Sequence, residues 1–169
     1  MSSPKYALKI TSLKDCLYQR SYNPATTLVE QSYLIHKQEM PMPQEVLLVE
    51  NSTLGATLIE HITAHASTPV RIIAANDCSG ALARLSNVRF TPNLVIADMG
   101  VLEFRGVELL RRCKPRGIPV VVFSGSVNPA DEARAIKFGV KEFVNKPLRL
   151  DDYVQAVWKI IAKWAKLQA

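Results

Sequence analysis

A strand–helix alternation, repeated five times between residues 45 and 169, constrains the fold of this chain more than any other feature. Each repeat pairs a short, continuously apolar stretch with a longer stretch whose apolar residues recur every three or four positions. Strands that are apolar on both faces lie in parallel sheets covered by helices on both sides. The sequence therefore predicts an α/β fold with a doubly wound, five-stranded parallel sheet, built as a three-layer sandwich.

The element bounds follow from the apolar periods and from capping residues such as the Asn128-Pro129 pair. The predicted strands are Glu45–Val49, Val70–Ala75, Asn93–Ala97, Ile118–Phe123 and Glu142–Val144. The predicted helices are Ser52–His65, one capped by Asn76 or Asp77, Gly106–Cys113, one from Pro129 to Gly139, and one from Leu150 or Asp151 onward. In the first helix the predicted inward stripe is Leu54, Leu58, Ile59 and Ile62.

The sequence changes character at Met40-Pro41-Met42-Pro43, where two prolines in three residues exclude a continuous helix or a central strand. We therefore divide the chain into residues 1–44, an N-terminal extension of unknown role, and residues 45–169, the regular α/β domain. The extension is expected to be partly disordered or to form one short helix. Met40 and Met42 directly precede the first strand, so either is also a candidate start of a single-domain protein.

Composition excludes several classes of protein. The longest strongly apolar run, Ile118–Phe123, is far too short to span a membrane, and the N-terminus has no apolar secretory segment. The three cysteines lie far apart and lack metal-binding spacing, so we expect reduced thiols and a cytoplasmic location. The net charge of +6 is spread along the chain, +2 in residues 1–44 and +4 in residues 45–169, which does not favour nucleic acid as a partner.

Polar side chains directly follow the first, third, fourth and fifth predicted strands. Functional residues in this architecture collect beyond the carboxyl ends of the strands, at the point where the strand order reverses. We therefore expect these side chains to share one crevice, in which a carboxylate, a hydroxyl and a lysine lie close together. In chain order they are Glu50-Asn51, Asp98, Ser124-Gly125 and Asn145-Lys146-Pro147.

With these residues in place, all five repeats resemble the receiver domain of two-component response regulators, the family of the chemotaxis regulator. Asp98, in Val-Ile-Ala-Asp-Met, matches the aspartate that is phosphorylated in the family, and Ser124 matches its strand-four hydroxyl residue. Lys146, followed by Pro147, matches the family's lysine, and Phe143 matches its aromatic switch residue. The resemblance implies the flavodoxin-like strand order 2-1-3-4-5 and a peptide bond before Pro147 that is commonly cis in the family.

The resemblance also implies a function. As a single-domain response regulator in a phosphorelay, the chain would accept a phosphoryl group on Asp98 from a histidine kinase or a histidine phosphotransfer protein. It would be no enzyme toward other substrates, beyond phosphorylating itself from a phosphodonor and hydrolysing its own aspartyl phosphate. The implied catalytic residues are Asp98, Ser124 and Lys146, the implied switch residues are Ser124 and Phe143, and the implied ligands of Mg²⁺ are Glu50, Asn51, Asp98 and the Gly100 backbone carbonyl.

The expected output is a protein–protein contact. The last predicted helix runs almost to residue 169, which leaves no length for a DNA-binding or enzymatic output domain. We therefore expect the chain to signal to a downstream protein or through a homodimer, with no membrane partner.

Two departures from the family pattern keep a second interpretation open. Asn51 stands where the family has a second acid, which weakens a site for a hard divalent cation. The loop after Asp98 lacks the usual proline and acid, although Arg105 in that loop could replace part of the metal's charge. The alternative is a degenerate pseudo-receiver, a protein-interaction module that acts without phosphorylation.

A third interpretation is a small α/β enzyme or cofactor-binding protein of flavodoxin-like topology. It requires a phosphate-binding loop or a pair of nucleophile and base. Gly55 stands alone early in its helix, outside any glycine-rich nucleotide-binding pattern, and no such pair is evident. This interpretation therefore ranks last.

Overall fold

The computed structural model of the chain describes residues 43–64 and 69–165, without the side chain of Phe104. Most of the N-terminal extension predicted for residues 1–44, including its short helix and the candidate starts at Met40 and Met42, lies outside these residues. Within the described ranges, no helix is long and apolar enough to cross a membrane.

The described residues form five strands and five α-helices. The strands are β1 (Gln44–Val49), β2 (Val70–Ala75), β3 (Leu94–Ala97), β4 (Val120–Ser124) and β5 (Glu142–Asn145). The helices are α1 (Thr53–Ala64), α2 (Cys78–Ser86), α3 (Met99–Cys113), α4 (Pro129–Phe138) and α5 (Leu150–Trp164), and a 3₁₀ turn, Lys114–Arg116, follows α3.

The strands pair in parallel, in the order β2-β1-β3-β4-β5. The predicted doubly wound α/β fold is thereby confirmed, and each predicted strand bound lies within two residues of the observed one. The chain moves from β1 to β2 on one side and then returns to place β3 on the other side of β1. The order reverses there, so the crevice of this fold opens at the carboxyl ends of β1 and β3.

Two apolar cores lie on opposite faces of the sheet because successive side chains of each strand point in opposite directions. Val46 and Leu48 of β1 pack into the core under α1 and α5. Leu47 and Val49 pack into the core under α2, α3 and α4. All four side chains are fully buried, which explains why the strands are apolar without interruption.

Helix α1 is rotated relative to the predicted inward stripe. Ile59 and Thr63 are the buried residues of this helix, while the side chain of Leu54 is 79% exposed. At 3.6 residues per turn, Leu54 lies about 140° around the helix axis from Ile59. The inward assignment of Leu54 was therefore wrong, because the buried face of α1 is centred on Ile59 and Thr63.

Helix α3 begins at Met99, directly after Asp98, and not at Gly106 as predicted. Gly106 instead follows a kink at Arg105, whose φ of −135° and ψ of 17° are not helical. A Cβ on Gly106 would lie 2.9 Å from the Cβ of Leu102, so this position needs glycine. The glycine marks a close contact at the kink, and the helix starts where the Asp98 carboxylate caps it.

Candidate functional site

Asp98 lies at the point where the strand order reverses, immediately after β3. Its backbone N–H donates to the Val49 carbonyl at 3.0 Å, which extends the pairing of β1 with β3. Its Oδ2 accepts a hydrogen bond from the Gly100 backbone N–H at 2.8 Å, so the carboxylate caps α3. A helix N-terminus favours a nearby negative charge, and the cap fixes the direction of the carboxylate.

Lys146 joins the ends of three strands. Its Nζ donates to Asp98 Oδ1 at 2.9 Å and to Glu50 Oε2 at 2.6 Å. Its backbone N–H donates to the Ser124 carbonyl at 2.7 Å, which anchors the residue beside β4. The structure thus brings together the carboxylate, the lysine and the first-strand acid that the sequence placed at separate strand ends.

Glu50 is the most deeply buried acid of this group, with 4% of its surface exposed. Besides Lys146, its carboxylate accepts the Ser52 backbone N–H, at 2.9 Å to Oε1. Gly55 of α1 lies directly against it: a Cβ at this position would be 3.2 Å from Glu50 Cδ. The lone glycine therefore accommodates the Glu50 side chain, a role that only the three-dimensional contact reveals.

The carboxylate of Asp98 faces an open pocket between the loops that follow β3 and β4. Ser124 and Lys146 also line the pocket, so the three predicted catalytic residues border the same space. Ser124 is buried, and its Oγ accepts the Ser126 backbone N–H at 3.3 Å. The hydroxyl is therefore held at the wall of the pocket by the turn that leads to α4.

Two further acids, Glu103 of α3 and Asp131 of α4, line this pocket and were not foreseen. Arg134 connects them, with Nη2 at 3.1 Å from Glu103 Oε1 and 2.8 Å from Asp131 Oδ1. Asp131 also accepts the Ser126 hydroxyl. Glu103 and Asp131 are separated by 28 positions and belong to different helices, so only the packing of α3 against α4 unites them.

Comparison with known proteins decides which family this arrangement represents. Residues 46–158 match the family model of the response regulator receiver domain.

The chain belongs to the response-regulator receiver family.

Relatives agree with this assignment. Regulator of RpoS from Escherichia coli K12 is 32% identical over 108 residues, which are 63% of this receiver but 31% of that protein. The two-component response regulator ORR3 from Oryza sativa subsp. indica is 30% identical over 129 residues, 73% of this chain and 96% of that protein. The chain thus spans under a third of the first relative and nearly all of the second.

Solved receiver structures share the fold. The phosphorylated cyanobacterial phytochrome response regulator RcpA has a TM-score of 0.65 and 25% identity, over 76% of this chain and 98% of that one. The Mn²⁺-bound response regulator Rcp1 has a TM-score of 0.63 and 26% identity, over 75% and 98% of the two chains. The chain is therefore a receiver domain of two-component signalling, a family whose members generally bind Mg²⁺.

The donor groups of this receiver do not form a complete Mg²⁺ site in the observed arrangement. Both carboxylates, Glu50 and Asp98, are bridged by Lys146, and Asn51 is exposed. The Gly100 N–H donates to Asp98 Oδ2, because α3 begins at Met99 and Asp98 caps it. Among the described residues, no three His, Cys, Asp or Glu side chains are grouped to hold a metal ion.

Arg105, Phe143 and Pro147 are placed as follows. The guanidinium of Arg105 donates to Glu108 and to Ser79 Oγ rather than to Asp98, so it does not replace the charge of a metal there. Phe143 lies on β5 and packs, partly buried, against the core under α2, α3 and α4. The peptide bond before Pro147 is trans, as are all bonds of the described residues; the trans form is the intrinsically favoured isomer.

The electrostatics of the site centre on Lys146. Burial alone lowers the pKa of its ammonium group, because the charged form loses water. Hydrogen bonds and Coulomb attraction from Glu50 and Asp98 outweigh burial and raise the pKa of Lys146 above its ordinary value of 10.5. The site therefore holds the lysine protonated at neutral pH, as a fixed positive charge beside Asp98.

We expect the receiver to be less stable in alkali, because the stabilising ion pairs of Lys146 are lost when the lysine is deprotonated. The unfolded chain loses the Lys146 proton near pH 10.5, and the native state only at a higher pH, so stability falls as pH rises through this interval. Burial also raises the pKa of Cys113 to about 11 and that of Tyr153, which act in the same direction. Urea unfolding across pH 9 to 12 of wild type and Lys146→Met isolates the lysine: the variant should show the shallower decline, and equal slopes would contradict the expectation.

Proposed function

We propose that this receiver accepts a phosphoryl group on Asp98 and signals through protein–protein contacts. The observation that carries the proposal is the Lys146 ammonium, 2.9 Å from Asp98 Oδ1 in a pocket that Ser124 also lines. A carboxylate oxygen that borders the pocket is a nucleophile for phosphorus. A fixed cation and a hydroxyl beside it are suited to the charge on the transferring group.

In the proposed reaction, an Asp98 oxygen forms a bond to phosphorus while the bond from phosphorus to the donor breaks. The donor, a histidine kinase or a histidine phosphotransfer protein, keeps the electron pair of the broken bond on its imidazole nitrogen. The Lys146 ammonium group then pairs with a phosphoryl oxygen instead of the carboxylate, and the Ser124 hydroxyl donates a hydrogen bond to a second phosphoryl oxygen. Water later attacks phosphorus and releases inorganic phosphate, which returns Asp98 to its carboxylate; no other substrate is turned over.

The proposed output is a change at the surface made by α4, β5 and α5. Reorientation of Ser124 toward the phosphoryl group would vacate space that Phe143 of β5 can enter, a two-state change biased by charge at Asp98. A downstream protein or a second copy of the chain would contact this surface. Because Cys78 and Cys113 are both free and buried, we keep the proposal of a reducing, cytoplasmic location.

A second function is favoured by one observation. Asn51 supplies no charge to the site, and both remaining carboxylates are engaged by Lys146. A receiver that lacks phosphorylation altogether would use the same fold as a protein-interaction module. The two functions differ in one measurable outcome, a covalent phosphoryl adduct.

The test is incubation of the purified chain with acetyl phosphate, followed by intact-mass spectrometry. We expect an adduct with the mass of one phosphoryl group that decays on removal of the donor, because receivers hydrolyse their own aspartyl phosphate. Absence of the adduct with acetyl phosphate and with a histidine phosphodonor would reject phosphorylation and leave the interaction module as the function.

Asn51 should set how strongly this labelling depends on Mg²⁺. Since the donor set lacks a second strand-one acid, we expect wild type to need a high Mg²⁺ concentration for its half-maximal labelling rate. Asn51→Asp adds a carboxylate at the edge of the site and should lower the Mg²⁺ concentration for half-maximal rate by about tenfold, equivalent to about 1.4 kcal/mol. Asn93→Asp, at the opposite end of the sheet, is the matched control; an equal response of both variants would contradict a local metal effect.

A further inference from the structure

A groove lies at the end of the sheet opposite Asp98. Its walls are the last turns of α3 and α4, and its floor includes Leu110 and Ile118. Ile118 precedes β4 and Lys141 precedes β5, whereas the Asp98 pocket lies where the strands end. The groove is therefore separate from the phosphorylation site and needs its own explanation.

Positive charge dominates this groove. Three cationic side chains, Arg111, Lys114 and Lys141, line it, and no acid does. Among the described residues, none of the three makes a side-chain hydrogen bond or an ion pair with a protein group. Arg111 also borders an adjoining depression whose acid, Glu108, is already paired with Arg105. The groove thus presents three uncompensated charges at one place.

Apolar side chains lie exposed beside these charges. Val107 is 42% exposed and Phe138 is 37% exposed, and both line the groove. Cations near the carboxyl ends of helices are partly explained by the helix dipole, but the dipole gives no reason to expose a phenylalanine in the same groove. The combination of apolar and cationic surface suits a ligand that carries both acidic and apolar groups.

Two glycine turns border the groove. Gly117 and Gly139 both border it, with φ of 66° and 100°. Each glycine turns the chain sharply at the end of its helix, a conformation that other residues rarely adopt. A Cβ on either glycine would meet no atom within 4 Å, so the space at both turns is open. Both turns therefore border open space at the edge of the groove.

We propose that this groove binds an acidic peptide segment of a partner protein, with one bulky apolar side chain of the segment seated between Val107 and Phe138. Carboxylates on either side of that residue pair with Arg111, Lys114 and Lys141. A nucleic acid would use the cations but leave the apolar contacts unused, so the peptide is the better match. The groove shares no residue with the Asp98 pocket, so binding of the segment does not require the phosphoryl group.

The test uses a fluorescent peptide with a central Phe flanked by Asp and Glu, titrated with the full chain and followed by anisotropy. We expect saturable binding that weakens with added salt and with Ser in place of the central Phe. Lys141→Glu should weaken binding by at least about tenfold, and Lys159→Glu, an exposed lysine of α5, by less than about twofold. Arg111→Glu, on α3, should weaken peptide binding to a similar extent. Phe138→Ser should weaken it more than the control Leu148→Ser, which removes a leucine outside the groove.

Three results would overturn the proposal. One is absence of binding by a wild-type chain whose thermal unfolding is cooperative. Another is equal weakening by Lys141→Glu and Lys159→Glu, which would indicate unspecific attraction to a basic protein. The third is tighter binding of a fluorescent single-stranded DNA that the peptide does not displace. Asp98→Asn should bind the peptide as wild type does, so failure here and failure of phosphorylation are separate outcomes.

Discussion

Replacement of Asp98 by asparagine is expected to abolish labelling of this receiver by acetyl phosphate. An amide oxygen carries no full charge and does not form a stable bond to phosphorus, so the nucleophile is lost. The fold should survive, because the asparagine side-chain oxygen can still accept the Gly100 N–H that Asp98 Oδ2 accepts at 2.8 Å. Lys146 keeps its contact with Glu50.

Asp131 provides the matched control for this experiment. It lines the same pocket and is also an acid, but it is held by Arg134 and Ser126 rather than by Lys146. Asp131→Asn should retain the phosphoryl adduct in intact-mass spectra, while Asp98→Asn shows none. An adduct that persists in Asp98→Asn and disappears in Asp131→Asn would show that Asp131, and not Asp98, is the phosphoacceptor.

Replacement of Lys146 by methionine should have the second-largest effect, on stability as well as on phosphorylation. Glu50 is 4% exposed, and without Lys146 its carboxylate keeps only the Ser52 N–H. Breaking a buried ion pair costs about 3–5 kcal/mol. Since a fifth of the lysine side chain is exposed, we expect a loss of about 2–4 kcal/mol in the free energy of unfolding.

A double variant separates the charge from the packing of the methionine. Glu50→Gln in the Lys146→Met background removes the stranded charge and should recover at least about 1 kcal/mol, measured by urea unfolding. Labelling by acetyl phosphate should remain slower than wild type by on the order of 100-fold in both variants, because the fixed cation is missing. A stability loss below about 0.5 kcal/mol for Lys146→Met would show that Glu50 does not depend on the lysine.

Much of the fold could be predicted from local pattern. A strand buried on both faces needs apolar residues at every position, and such runs identified all five strands to within two residues. The Asn128-Pro129 start of α4 was also correct, because a cap and its proline act within one turn. The predicted start of α3 at Gly106 was wrong. Gly106 is required by its close contact with Leu102 at a kink and does not mark a helix start.

The residues of the candidate site were likewise only partly predictable from the sequence. Parallel strands bring their carboxyl ends to one edge, so Asp98, Ser124 and Lys146 could be assigned to one pocket from their order along the chain. Glu103 and Asp131 could not, because their place in that pocket depends on how α3 packs against α4. Leu54 was misplaced for a related reason, since the rotation of α1 about its axis is chosen by the core and not by the helix alone.

The sequence by itself therefore determined the strand–helix order and the residues at each strand end, because these depend on periods and caps only a few residues long. The tertiary structure decided which partners those residues meet. Lys146 bridges Glu50 and Asp98 across 96 and 48 positions of the chain, and Gly55 of α1 lies against the Glu50 side chain. Such contacts arise only when strands and helices are packed, since burial makes each charge depend on a partner that is distant in sequence.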